Sequence, residues 1–189
     1  MPNDEKHQRF TQLALPHLDA AYNLARWITR NNHDAQDVVQ ESVLRAFKYF
    51  DSFHGQDARA WLLTVVRNTC YTWLETNRPA ELVPAFQSGD QEAAGETGAI
   101  DRALGVATDP ETLCLQQADT EILDQAIATL PLEFREVMIL REMEELSYKE
   151  IAKIVEVPLG TVMSRLSRAR KLLRQVLLNR LGAERADEL

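Results

Sequence analysis

Glycine and cysteine are scarce in this chain, which has seven glycines and two cysteines among its 189 residues. Runs in which polar and apolar residues alternate, as they do in β-strands, are nearly absent, and apolar residues recur at helical spacing instead. Cys70 and Cys114 lie far apart, with no CxxC pattern and no histidine nearby. Their spacing predicts buried thiols in a reducing compartment rather than a metal site or a disulfide framework, with a redox pair as the alternative. The sequence thus predicts an all-α fold.

Long apolar runs are also absent, and none approaches the ~20 residues that a membrane-spanning helix needs. The first ten residues are polar and do not resemble a secretory signal. We therefore expect a cytoplasmic protein without direct membrane insertion. The sequence also has no glycine-rich phosphate loop, no metal-ligand cluster and no activated nucleophile. It predicts a protein that is not an enzyme and that has no cofactor, no metal and no small-molecule substrate.

The net charge of −8 is unevenly distributed along the chain. Residues 79–112 include seven acidic side chains and one basic side chain, in a segment rich in alanine and glycine. Such a segment can bury too little apolar surface to offset the entropy of ordering it. The sequence therefore predicts two small helical domains, 1–78 and 113–189, joined by an acidic flexible linker at 79–112. The local field, rather than the net charge, governs where nucleic acid docks.

Apolar periodicity predicts five helices before the C-terminal segment. They cover residues 10–30, 35–50, 58–77, 111–130 and 132–142. We expect the first helix to bend near Pro16, and we expect Asp34 to cap the second. Gly55 marks a turn before the third helix, and Pro131 separates the last two.

The segment 146–180 predicts a helix-turn-helix. Ser147 and Glu150 are spaced as a capping box, in which each side chain satisfies a backbone N–H at the start of a helix. Pro158 suits the first turn of a second helix, where its missing N–H is not needed.

The second helix of this pair has an apolar face and a basic face. From Gly160 to Arg180 there are six basic residues and no acidic ones. The polar face contains Ser164, Ser167, Arg168, Lys171, Arg174 and Gln175. Arginine and lysine neutralise phosphates or pair with guanine edges, and serine adds short hydrogen bonds, so this face predicts binding in the DNA major groove. A solvated basic face on a packing helix is the alternative.

The predicted helix 58–77 combines aromatic rings with arginine and asparagine. Rings that stack on bases and cations that hold phosphates are typical of single-strand binding. The alternative is that the rings belong to the core, and for Trp61 considered alone this alternative is favoured. For Tyr71 and Trp73 the sequence does not separate the two interpretations.

Three segments of the chain, in this order, resemble the extracytoplasmic-function (ECF) sigma factors of bacterial RNA polymerase. DAQDVVQESVLRAF at 34–47 resembles the core segment of the family's first domain, and ARAWLLTVVRNTCYTWL at 58–74 resembles its promoter-melting helix. LPLEFREVMILREMEELSYKEIAKIVEVPLGTVMSRLSRARKLL at 130–173 resembles its second domain. The resemblance implies a promoter-specificity subunit that binds core polymerase at the clamp helices and the flap, binds promoter DNA, and is held inactive by an anti-sigma factor.

The resemblance also implies roles for individual residues. Those that match the surface for the clamp helices of the largest polymerase subunit are Asp34, Asp37, Gln40, Glu41 and Arg45. Those expected to capture a flipped minus-ten base or to lie along its strand are Phe53, His54, Gly55, Arg59, Trp61, Arg67, Asn68, Asn77 and Arg78. Those expected to contact the minus-thirty-five element are Thr161, Ser164, Arg165, Ser167, Arg168 and Lys171. The acidic linker is expected to lie near the active-site cleft and the RNA exit path.

Two departures from the family pattern remove positive charge from positions expected to face DNA. The chain has Thr72-Trp73-Leu74-Glu75 where members often have a basic cluster, and it has Met163 where they often have a basic residue. Two other functions are alternatives to that of a promoter-specificity subunit. A sigma-like decoy that sequesters an anti-sigma factor predicts an eroded basic face, and a helix-turn-helix transcriptional regulator predicts a ligand pocket in the first domain.

Overall fold

The computed structural model describes residues 2–55, 57–82 and 122–187. All regular structure within these ranges is helical, which confirms the predicted fold class. Most of the predicted linker, the first part of the predicted helix 111–130 and Cys114 lie outside the described residues. The predicted domain boundaries therefore stay predictions.

Four helices form the first part of the fold: α1 (Pro2–Ala14), α2 (Leu18–Thr29), α3 (Asn32–Tyr49) and α4 (Ala58–Asn77). A short 3-10 turn, Leu15–His17, separates α1 from α2 and contains Pro16, which confirms the predicted bend. The bounds of α4 match the prediction because Asp57 caps its start and Pro79 follows its end, where a 3-10 turn runs from Pro79 to Leu82.

The predicted cap of α3 was wrong. Asn31, rather than Asp34, is the N-cap residue, and its side chain accepts hydrogen bonds from the backbone N–H groups of His33 at 2.7 Å and Asp34 at 3.1 Å. Asn31 has the extended backbone that an N-cap requires. Asp34 lies in the first turn instead, where its carboxylate faces the positive end of the helix dipole.

The second part of the fold consists of α5 (122–128), α6 (Leu132–Met138), α7 (Tyr148–Val155) and α8 (Leu159–Asp187). The predicted helix 132–142 continues past α6 as a π-helical turn, Ile139–Met143. The capping box at the start of α7 is confirmed, since Ser147 N–H donates to the Glu150 carboxylate at 2.7 Å and Glu150 N–H donates to the Ser147 hydroxyl at 3.3 Å.

The turn between α7 and α8 is made by a residue in the left-handed region. Glu156 has φ 56°, and its N–H donates to the carbonyl oxygen of Ala152, which ends α7. Left-handed backbone is the usual way to end a helix, but it is usually provided by glycine. The predicted helix-turn-helix is therefore present, with a strained residue at its turn.

Apolar packing joins the two parts of the described chain. The larger buried cluster contains side chains of the first four helices, such as Leu24 and Leu63, together with side chains of α6 and α7, such as Val137 and Ile154. A second cluster is formed by α5, α6, the π turn and α8, and it includes Trp27 from α2. The first part of the fold therefore contributes to the core of the second.

Candidate nucleic-acid interface

Helix α8 presents the predicted DNA-reading face to solvent. Val162, Leu166 and Ala169 are buried on the opposite side and fix the orientation of the helix. Of the predicted contacts, Ser164, Ser167 and Lys171 are exposed, and Thr161 and Arg168 are partly exposed. Five of the six predicted residues thus lie on or beside one accessible face.

Arg165 lies away from that face. Its side chain is 19% exposed and forms ion pairs with Glu133 at 2.9 Å and with Glu136 at 3.5 Å. In this arrangement the guanidinium group is directed at α6 rather than at solvent.

An aromatic cluster lies under the predicted minus-ten pocket. Phe53 is 8% exposed, and its ring centroid lies 4.9 Å from that of Trp61 and 6.0 Å from that of Phe50. Trp61 is partly buried and packs against the core, as the core interpretation predicted. His54 and Gly55 are exposed beside this cluster.

The backbone at Gly55 approaches the Phe53 ring closely. A Cβ atom at this position would lie 3.0 Å from the Phe53 ring, so a larger residue here requires the ring to move. Glycine at this position therefore allows the Phe53 ring to keep its place.

Two arginines of α4 are held by carboxylates of the second part of the chain. Arg67 donates to Glu136 from Nε at 2.8 Å and from Nη2 at 3.3 Å. Arg59 donates from Nη2 to Glu144 at 2.6 Å. Neither carboxylate was selected by sequence reasoning, because pairing across such a separation leaves no local pattern.

The tyrosine of this helix joins the same cluster. Tyr71 donates its hydroxyl hydrogen to Glu136 at 2.9 Å, and the Arg67 guanidinium lies 4.3 Å from the centre of its ring. Burial and the neighbouring Glu136 charge raise the pKa of Tyr71 well above its ordinary value. In this arrangement Tyr71 therefore serves as a neutral hydrogen-bond donor to the carboxylate.

Electrostatic effects oppose each other at the Arg67–Glu136 pair. Burial raises the pKa of Glu136 above its ordinary value, while Arg67 acts in the opposite direction. Burial works to lower the pKa of Arg67, but Glu136 and Tyr71 more than offset it, so that pKa lies above its ordinary value. The arginine is therefore charged at any physiological pH.

The C-terminal end of α4 contains the remaining predicted minus-ten residues. Asn68 and Asn77 are exposed, and the Asn77 amide donates to the Trp73 carbonyl at 2.9 Å. Arg78 donates to the Thr29 carbonyl at 2.8 Å, and its guanidinium lies 5.4 Å from the centre of the partly buried Trp73 ring. Arg78 thus ties α4 to α2 in addition to any contact with DNA.

The predicted polymerase-binding residues lie along α3. Asp37, Gln40 and Glu41 are exposed, and Asp34 and Arg45 are partly exposed. Arg45 pairs with Glu41 at 2.7 Å within the helix. A groove of about 300 Å³ between α3 and α4 begins at this face.

Leu44 is a further residue of this face that sequence reasoning missed. It is 66% exposed, which is high for a leucine, and it lies one helical turn beyond Glu41. The signal was present in the sequence, because Asp37, Glu41, Leu44 and Lys48 recur at helical spacing.

Two kinds of feature are absent from the described part of the chain. In residues 2–55, 57–82 and 122–187 no three histidine, cysteine, aspartate or glutamate side chains are arranged to hold a metal ion. No helix within the same ranges combines the length and apolarity needed to cross a bilayer.

Comparison with known proteins assigns this two-part helical fold to a class. Residues 13–79 match the model of sigma-70 region 2, and residues 120–173 match the model of sigma-70 region 4. The ECF RNA polymerase sigma-E factor of Salmonella typhimurium is 37% identical over 144 residues, which cover 74% of this chain and 72% of that protein. The protein of the same description from Escherichia coli K12 is 36% identical over the same shares. The chain belongs to the ECF sigma factors of RNA polymerase.

Solved structures agree with this assignment. The sigma factor RpoE of Bartonella quintana, in complex with the anti-sigma factor NepR, has a TM-score of 0.65 and 26% identity, covering 90% of this chain and 97% of that one. CnrH, in complex with the cytosolic domain of CnrY, has a TM-score of 0.59 at 23% identity, covering 90% and 88%. Because the identity with CnrH is below 25%, this similarity shows the fold alone.

Proposed function

We propose that this sigma factor binds core RNA polymerase, recognises a two-part promoter, helps to open it, and is held inactive by an anti-sigma factor. The observation that supports this most directly is that one chain carries the charged face of α3, the aromatic pocket before α4 and the basic face of α8. It acts in the cytoplasm with the polymerase and catalyses no reaction itself.

The α3 face binds the clamp helices of the largest polymerase subunit, and the second domain binds the flap. The exposed carboxylates Asp37 and Glu41 provide charge for an ionic contact, and the exposed Leu44 adds an apolar contact at its centre. A mixed face of this kind is typical of protein interfaces, in which an apolar centre is surrounded by polar groups.

The pocket beside Phe53 and Gly55 captures a flipped base of the non-template minus-ten strand. An exposed loop lies beside a cluster of aromatic rings in which Phe50 and Phe53 are stacked, and such rings suit the stacking of a base. The arginines of α4 then lie beside the strand backbone. Holding an unpaired base stabilises the open duplex without any chemistry on that base.

The exposed face of α8 reads the minus-thirty-five element in the major groove. Ser164, Ser167 and Lys171 are exposed in the first half of α8. This is the second helix of the helix-turn-helix, which is the element that enters the groove in this motif. The intact basic face also favours a promoter-binding factor over a decoy.

An anti-sigma factor is the expected inhibitor of this chain. The support is the 26% identical sigma factor of Bartonella quintana, whose structure was solved with the anti-sigma factor NepR. The similarity extends over 97% of the length of that sigma factor.

Co-purification with core RNA polymerase, followed by run-off transcription on fragments of the host genome, tests the proposal. We expect a stoichiometric complex and discrete transcription start sites that core enzyme alone does not produce. A chain that fails to bind core polymerase, but binds another small protein tightly, is a decoy and contradicts the proposal.

A further inference from the structure

Three arginines from three separate elements surround the carboxylate of Glu81. Arg30 caps the end of α2, Arg78 caps the end of α4, and Arg135 belongs to α6. Their nearest guanidinium nitrogens lie 3.9 Å, 3.6 Å and 3.4 Å from the Glu81 oxygens, in that order. Arg30, Arg78 and Arg135 thus form an arginine cluster around one acidic group.

The Glu81 carboxylate is a loose partner for this cluster. Hydrogen bonds between a guanidinium and a carboxylate are usually about 2.7–2.9 Å long. The shortest of the three contacts is 3.4 Å, and two oxygens are shared among three guanidinium groups. A tetrahedral oxyanion has more oxygens than a carboxylate, so it can accept a hydrogen bond from each arginine. The cluster therefore suits a larger anion better than it suits Glu81.

Arg135 is the most deeply buried member of the cluster. Its side chain is 1% exposed, and its Nη1 donates to the backbone carbonyls of Ala128 at 2.9 Å and Leu130 at 3.3 Å. Among the described residues its Nε has no hydrogen-bond acceptor. Burial lowers the pKa of Arg135, and the neighbouring charge of Arg30 lowers it further, although Glu81 acts in the opposite direction. A buried cation without full compensation is costly, and a bound anion would reduce this cost.

The place occupied by the Glu81 carboxylate can be reached from solvent. The side chains of Arg30 and Arg78 are 44% and 35% exposed, and that of Glu81 is 21% exposed. Glu81 belongs to the four-residue 3-10 turn Pro79–Leu82. Such turns have poorer hydrogen-bond geometry than α-helices, so this one can move at a lower cost than a helix can. A dissolved anion can therefore take the place of the carboxylate when Glu81 turns to water.

The arginines do not depend on Glu81 for their positions. Arg78 donates to the Thr29 carbonyl at 2.8 Å, and Arg135 is held by the carbonyls after α5. Arg30 ends α2 through its own backbone N–H, which donates to the Arg26 carbonyl at 2.8 Å. The cluster is therefore organised before an anion binds, which lowers the entropy cost of binding.

The charge of the cluster matches a doubly charged anion. Asp34 pairs with Arg78 at 3.5 Å and offsets one of the three positive charges. When the Glu81 carboxylate turns away, two positive charges are left without a partner of opposite sign in the cluster. A phosphate monoester has a charge of about −1.5 to −2 at neutral pH. A phosphate monoester therefore compensates the cluster more fully than a singly charged phosphodiester of DNA.

We propose that the arginine cluster is a binding site for a terminal phosphoryl group, which takes the place of the Glu81 carboxylate. The ligand is inorganic phosphate or the phosphate monoester of a small molecule. Only Arg78 is shared with the residues proposed to lie along promoter DNA. Binding releases the turn Pro79–Leu82 from its contacts with α2 and α6.

Isothermal titration calorimetry of the full-length chain without polymerase tests the site. Inorganic phosphate and adenosine 5′-monophosphate are titrated separately, with sodium chloride holding the ionic strength constant. We expect saturable binding of one phosphate per chain. Glu81→Gln removes the competing charge and should tighten phosphate binding by about tenfold, and Arg30→Gln should weaken it by about tenfold, the effect of one charged hydrogen bond.

The paired variants guard against a folding defect, because a poorly folded chain would lose binding and would not gain it. Arg135 is left unaltered, since loss of a buried charged side chain threatens the fold. Glu5→Gln and Arg9→Gln remove the same charges from exposed positions on α1 and should leave phosphate binding unchanged. Circular dichroism establishes that each variant is folded.

The two ligands distinguish the sources of the phosphoryl group. Equal affinities for phosphate and the nucleotide support a site for the phosphoryl group alone, and tighter binding of the nucleotide supports a nucleotide site. Absence of saturable binding, or equal affinities of the unaltered chain, Glu81→Gln and Arg30→Gln, overturns the proposal. An unphosphorylated thymidine oligonucleotide is the third probe. If it alone binds in a manner that depends on Arg30 and Glu81, the cluster holds the DNA strand and the proposal is wrong.

Discussion

Arg67 and Glu136 form a two-pronged ion pair between α4 and α6, with Nε–Oε2 and Nη2–Oε1 distances of 2.8 Å and 3.3 Å. The Glu136 side chain has no exposed surface, and that of Arg67 is 12% exposed. A residue proposed to contact promoter DNA is thus among the better-shielded cations of the described chain.

Asp37→Arg is expected to abolish stable binding to core polymerase. The side chain of Asp37 is 63% exposed on α3, so the change reverses a charge at the proposed clamp interface without disturbing the core. Co-purification of tagged chain with core enzyme is the measurement. Asp19→Arg, at an exposed position on α2, is the matched control and should bind normally. Normal binding of Asp37→Arg would place the polymerase contact elsewhere.

Arg168→Ala is expected to weaken promoter recognition by about 1–3 kcal/mol, which is the scale of one good base contact. Arg168 is partly exposed beside the serines of α8. The measurement is run-off transcription from a cognate promoter and from one with a mutated minus-thirty-five element. The change should reduce the difference between the two templates and leave polymerase binding intact. If the preference for the cognate promoter over the mutated one is unaltered, Arg168 does not contact the minus-thirty-five element.

Met163→Arg is expected to strengthen DNA binding by the holoenzyme. Met163 is 51% exposed in the second turn of α8, where an added cation can reach a phosphate. One new phosphate contact should steepen the dependence of log affinity on log salt by about 0.9. Leu178→Arg adds the same charge at a position that is 63% exposed further along the helix, and it should have little effect. Equal effects of the two changes would indicate a general charge effect.

Cys70 is expected to resist thiol reagents in the folded chain. The pKa of its thiol lies far above the ordinary value, mainly because the thiol is buried. The nearby Glu136 charge raises this pKa further. The thiolate, which is the reactive form, is therefore suppressed below that raised pKa. Labelling at mildly alkaline pH in a Cys114→Ser background should be slow in buffer and fast in denaturant. Equal rates would show that Cys70 is accessible.

Glu156→Gly is expected to stabilise the chain by up to about 1.5 kcal/mol. Left-handed backbone costs a non-glycine residue about 1–2 kcal/mol, and the greater flexibility of glycine in the unfolded chain offsets about 0.5–1 kcal/mol of the gain. Urea unfolding measures the difference. Glu156→Ala keeps the strain at φ 56° and should give no comparable gain. A loss of stability in the glycine variant would show that the Glu156 side chain contributes more than the backbone strain costs.

Much of the fold was predictable because its signals are local. The bounds of α4, the bend at Pro16 and the capping box of Ser147 and Glu150 each follow from neighbouring residues. The cap of α3 was mispredicted because asparagine and aspartate both suit this position, and the choice between Asn31 and Asp34 depends on where the first turn closes.

The pairing of the domains was not predictable in the same way. Glu136 and Arg67 are separated by 69 positions, and nothing in the residues around either one indicates the other. The sequence identified Arg59 and Arg67 as cations suited to nucleic acid, which stays a prediction. It did not indicate that carboxylates of the same chain bind them. Charge complementarity across a folded interface is a property of the tertiary arrangement.

Trp27 has a consequence for how the protein can be divided. Its indole belongs to α2 but fills space among α5, α6 and α8. A fragment restricted to residues 122–187 would have a tryptophan-sized hollow in its apolar surface, and deletion of a buried ring of this size costs about 3–5 kcal/mol. The fragment 122–187 would therefore be less stable than the same residues within the whole chain. The fragment would need another apolar side chain in this hollow to be stable without the first part of the chain.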